Sequence, residues 1–165
     1  MKYKTQIAAA TLAIAASTFL AWSNPGENGE SREHHRSTLV GVWQVTRGGY
    51  ACNDPNQTVL GTFPALMTFH RDGTLVGSAK SPVTGPFDTP EHGIWQREQG
   101  SHNYSFRDVA YRYDGNGTFL GPLVLTANVE LTSANSFNYI ARIEIIDANG
   151  NLVETRCGRG TATRF

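Results

Sequence analysis

From Leu39 onward, hydrophobic and polar positions alternate in short runs separated by turn residues, and no stretch carries the spacing of an amphipathic helix. Phe119, Leu123, Leu125, Ala127, Val129 and Leu131 share one parity, with Thr126, Asn128 and Glu130 between them. Phe137, Tyr139, Ala141, Ile143 and Ile145 repeat the pattern against Asn138, Arg142 and Glu144. A period of two predicts strands with one buried and one wet face. Arg71-Asp72-Gly73 and the segments 114–117 and 147–150 supply residues that tolerate positive φ, as tight hairpins require; 99–101 and 132–135 are weaker versions. These turns predict eight strands, over 39–47, 58–70, 74–79, 92–98, 103–113, 118–131, 136–147 and 151–164. The 103–113 run has aromatics on both parities, Tyr104 and Phe106 against Tyr111 and Tyr113, so its inward face stays open.

Eight hairpin-linked strands with one apolar face can split into a sandwich or curl until the first pairs with the last. Closure removes exposed edges, so the expected fold is all-β, an eight-stranded antiparallel up-and-down (meander) barrel without a C-terminal helix. A barrel of that size is filled by side chains or holds one small ligand. The meander puts the short turns 71–73, 99–101 and 132–135 at one end and the connections 48–57, 80–91, 114–117 and 148–150 at the other. Two of the latter are long, which predicts a closed end and a mouth. With the last strand antiparallel to the first, Cys157 falls beside the loop that holds Cys52, and a disulfide between these two cysteines is expected.

The segment before the barrel changes the picture of where the chain works. Lys2 and Lys4 precede an apolar run over 7–22, and Ala21 and Ser23 have the spacing of a cleavage site, so 1–23 reads as a signal peptide. Residues 24–37 contain no large apolar side chain and read as a flexible leader, leaving 38–165 as the barrel domain. The expectation is a secreted chain, periplasmic or extracellular, with no membrane span in its mature form. Two of the 14 Lys and Arg residues lie in 1–23, which leaves 12 against 14 Asp and Glu, a net charge of −2. That balance gives no attraction to phosphate backbones, and nucleic acid is not an expected partner.

Leu39-Val40-Gly41-Val42-Trp43 resembles the G-x-W motif that opens the first strand of lipocalins and related calycins. The resemblance implies that Trp43 packs across the closed end and that Arg164, near the end of the last strand, covers it in a cation–π contact. It also implies a non-enzymatic function, the binding of a small, mostly apolar molecule inside the barrel. Two alternatives stand beside it: a protein-interaction module with a packed core, and a barrel isomerase or cyclase of the allene oxide cyclase type.

Candidate chemistry is sparse. There is no Walker loop, CxxC pair or HExxH, so no catalytic residue, no metal site and no cofactor is assigned. Met67, Phe69, Trp95, Leu123, Leu125, Phe137 and Tyr139 are the ligand-lining candidates if the parities hold, although the same residues describe a packed core. His92 opens the fourth run below the long 80–91 connection and is the mouth candidate. An enzyme would need a buried polar cluster, for which His92 with Asp108 or Arg142 is the candidate; Asp108 and Arg112 share a parity and could form a polar anchor.

Overall fold

A computed structural model describes residues 38–80, 87–98 and 102–165. The signal peptide and leader assigned to 1–37 therefore lie outside the described residues, as do 81–86 and 99–101. The strands are β1 Gly41–Tyr50, β2 Thr62–Phe69, β3 Thr74–Ala79, β4 Phe87–Asp88, β5 Glu91–Arg97, β6 Asn103–Tyr113, β7 Phe119–Ser133, β8 Ser136–Ile146 and β9 Leu152–Arg164. Each long strand pairs antiparallel with the next, in the order β1, β2, β3, β5, β6, β7, β8, β9. The last returns to the first, from Trp43 opposite Arg164 to Tyr50 opposite Cys157. This is the closed eight-stranded meander barrel, with no helix among the described residues.

Three local features differ from the sequence reading. The first is β2, which starts at Thr62 because 51–60 is a loop of turns closed by Asp54, whose carboxylate accepts from the backbone N–H groups of Asn56 and Thr58. The second is the two-residue β4, which adds to the far end of β6, with Phe87 opposite Tyr113. Its brevity hides it from periodicity. The third is β5, which starts one residue early, at Glu91. The open question about 103–113 is answered: Tyr104, Phe106, Asp108 and Ala110 are buried inside, while Tyr111 and Tyr113 pack on Phe119 near the β6–β7 turn.

Packing differs between the two ends. At the closed end Phe69 meets Trp95, Phe106 and Phe137 edge-on at 5.8–6.1 Å between ring centroids, and Trp43 meets Phe137 at 4.8 Å. Such edge-to-face contacts add to the burial of the rings. The Trp43 indole donates to the Leu39 carbonyl at 2.8 Å, and the Trp95 indole donates to the His70 carbonyl at 2.9 Å. Arg164 seals this end from outside. Its guanidinium lies 4.2 Å from the Trp43 ring centroid and donates to the carbonyls of Thr38, Val40 and Ala134. At the other end Cys52 and Cys157 form a disulfide with a Cα–Cα distance of 4.9 Å.

Candidate functional site

The interior of the open half is hollow. A cavity of about 550 Å³ opens between the β1–β2 loop, the β4 region and the ends of β7, β8 and β9. Its walls are mostly apolar, with Phe63, Leu123, Leu125, Ile143 and Ile145 among the large side chains and Ala110, Ala141, Gly48 and Gly158 among the small ones. The small residues explain the space. Where the closed half places Trp43, Phe69, Phe106 and Phe137, the open half has alanine or glycine at inward positions.

The floor of the cavity is polar. Arg47 continues the inward parity of Trp43 and Val45 on β1, and its side chain reaches across the interior to Glu91 on β5. The two form a bidentate pair, Nη1 to Oε1 at 2.5 Å and Nη2 to Oε2 at 2.7 Å. Both side chains are buried, 7% and 9% exposed. Burial works against the Arg47 charge, but the Glu91 carboxylate, with smaller help from Tyr139 and Asp108, more than offsets it and holds the guanidinium above its ordinary range. Two glycines make room for this layer. A Cβ on Gly77, opposite Glu91 across β3–β5, would overlap the Glu91 carboxylate, and one on Gly160, between Arg47 and Tyr139, would overlap the Tyr139 ring.

Asp108 lies beneath this pair on β6. It is 2% exposed, and neither carboxylate oxygen has a hydrogen-bond partner among the described residues. Burial first, and the nearby Glu91 charge second, push its carboxyl up to about 8 against the pull of Arg47. The acid is therefore mostly neutral near pH 7. Tyr139 borders the cavity and packs its ring on Phe106 at 5.8 Å. Burial pushes its hydroxyl up to about 12, so it remains a phenol that can donate and accept.

The sequence-selected residues divide between the two halves. Leu123, Leu125 and Tyr139 border the cavity. Met67, Phe69, Trp95 and Phe137 belong to the packed closed half and not to the cavity wall. His92 is exposed and does not border the cavity: Glu91 and Trp95 hold the inward parity of β5, and His92, of the opposite parity, faces solvent. Arg142 is exposed beside Glu144. Arg112 does not pair with Asp108 but donates to the carbonyls of Leu120 and Ile146. The anticipated cluster of His92, Asp108 and Arg142 is thus not assembled; Asp108 instead lies in the electrostatic field of Arg47 and Glu91, bonded to neither. Parity counting could have found Arg47, a charge in phase with Trp43 and Val45. Glu91 was hidden because the sequence reads it as the end of a loop.

No protein-family model matches the chain, and no curated protein matches it. Among solved structures, the chain is similar to EF1p2_mFAP2b bound to DFHBI, with a TM-score of 0.52 and 16% identity over 77% of this chain and 94% of that one. At that identity the likeness concerns the fold.

Proposed function

We propose that this chain is an exported carrier: a lipocalin-like barrel that takes a small, mostly apolar molecule into the open half of its interior. The observation that carries the reading is the cavity of about 550 Å³ with apolar walls and a confined polar floor. Small-molecule sites are of this size and make-up, apolar in area with a few placed polar groups. The structurally similar barrel bound to DFHBI supports small-molecule binding by this fold. Arg164 stacked on Trp43 supports the lipocalin-like assignment. The Cys52–Cys157 bond supports an oxidising compartment, in line with the signal-peptide reading of 1–23.

Titration of the purified, disulfide-bonded protein with the neutral apolar fluorophore N-phenyl-1-naphthylamine tests the carrier reading. Saturable binding at one site is expected. Ala141→Phe projects a ring into the cavity and should weaken binding by about tenfold or more while the protein stays folded. No saturable binding, or equal binding by the filled variant, would remove the carrier reading.

A further inference from the structure

We propose that the molecule held in this cavity carries a basic nitrogen: an apolar amine whose protonated head rests on the floor beside Glu91 and Tyr139. This rests on the carrier reading and narrows it to a ligand class.

Charge and hydrogen bonding are unevenly balanced at the floor. The charged and titratable groups that meet there are Arg47 from β1, Glu91 from β5, Asp108 from β6 and Tyr139 from β8. Two carboxyl groups share one guanidinium. The buried Nε of Arg47 has no hydrogen-bond partner among the described residues, but both Nη atoms are held by Glu91, so the end-on fork of the guanidinium is taken. That is the geometry which would recognise a ligand carboxylate, and it is occupied. Asp108 is enclosed with both oxygens unpartnered among the described residues. A buried acid without a hydrogen bond weakens the fold, and what would compensate it here is a positive charge that arrives with the ligand. Around the entrance, Asp88 and Glu154 are matched by Arg156 and Arg159, so the rim favours neither sign.

Three head groups behave differently on this floor. A carboxylate approaches Glu91 and the Asp108 site with the guanidinium engaged, and is repelled. An alcohol bonds to the Tyr139 hydroxyl and leaves Asp108 protonated. A protonated amine donates to the Glu91 carboxylate and to the Tyr139 oxygen, and its charge favours ionised Asp108 across the low-dielectric floor. The Asp108 proton then leaves to solvent, and the floor holds two positive and two negative charges.

Isothermal titration calorimetry with decylamine, 1-decanol and decanoate, near neutral pH in phosphate and in Tris, tests this on the intact protein. Decylamine should bind at least about tenfold more tightly than decanol, with decanoate weakest. Comparison of the two buffers should show release of up to about one proton with the amine and none with the alcohol. Asp108→Asn should abolish the proton release and reduce the amine to the affinity that the same variant shows for the alcohol. An amine no tighter than decanol, or an amine preference that survives Asp108→Asn, overturns the proposal. If the naphthylamine fluorophore and decanol bind but the amine has no advantage, the carrier stands and only the ligand class fails. If nothing binds, both fall.

Discussion

Asp108 makes a measurable difference to how stability depends on pH. Its carboxyl is raised from the ordinary carboxylate value to about 8, by burial and then by Glu91. Between those values the folded chain keeps a proton that the unfolded chain has lost. Stability contributed by the protonated acid is therefore complete below about pH 4 and is lost as pH rises towards 8, with a slope of at most about 1.4 kcal/mol per pH unit. Asp108→Asn carries no such proton. Urea denaturation at a series of pH values should show the wild type losing stability relative to the variant through this window and no further difference above it. Parallel curves would mean that Asp108 does not hold its proton in the fold. Arg47 and Glu91 show why this site was only partly legible in the sequence. Arg47 had the inward parity and was readable, whereas Glu91 depends on where β5 starts, and strand ends are set by pairing rather than by periodicity. Gly77 and Gly160 were a further signal: glycines at inward positions leave space that a larger neighbour must fill.

Among the elements, the β1–β9 seam closes the barrel, and it joins the two strands most distant in sequence. It is pinned at both ends. Arg164 ties the closed end through three backbone carbonyls, and the Cys52–Cys157 bond ties the open end across a sequence separation of 105. A loop of that length confines the unfolded chain strongly, and the bond is worth about 5 kcal/mol in the chain-entropy picture. The double variant Cys52→Ala/Cys157→Ala should lose roughly that amount, read as a lower urea midpoint with the slope analysed separately, because the unfolded state expands. A change below about 1 kcal/mol would show that the seam holds by its ladder and Arg164 alone. This pairing was legible in the sequence because antiparallel closure fixes which residues meet: counting back from Arg164 brings Cys157 to the end of β1. The two-residue β4 was not legible, since two residues carry no period and its partner on β6 is chosen by the fold.

At the scale of the whole molecule, the barrel was legible and its hollow half was not, because a list of inward-facing residues is the same for a filled barrel and an empty one. What separates the two is how side-chain volume is distributed along the axis. Phe137 is fully buried among Trp43, Phe69 and Tyr139 in the closed half, whereas Leu123 borders the cavity and is partly exposed to it. Truncating Phe137 to alanine removes a ring from a close-packed aromatic cluster and should cost about 3–5 kcal/mol. Leu123→Ala removes contacts on one side only, since the other side already faces open space, and should cost less than about 2 kcal/mol. The effect on ligand binding should be reversed. Phe137→Ala, measured under conditions where it remains folded, should keep the wild-type affinity for the apolar fluorophore, because the floor of Arg47, Glu91 and Tyr139 separates the cluster from the cavity. Leu123→Ala reshapes the wall and should change that affinity several-fold. Urea midpoints and fluorophore titrations on the same two proteins decide the matter. If both variants lose stability and binding together, the interior is one continuous core and the division into a sealing half and a binding half is wrong. If the losses separate, the closed end is the foundation on which the open end can stay hollow, and side-chain size along the axis, rather than the strand pattern, is what makes this barrel a container.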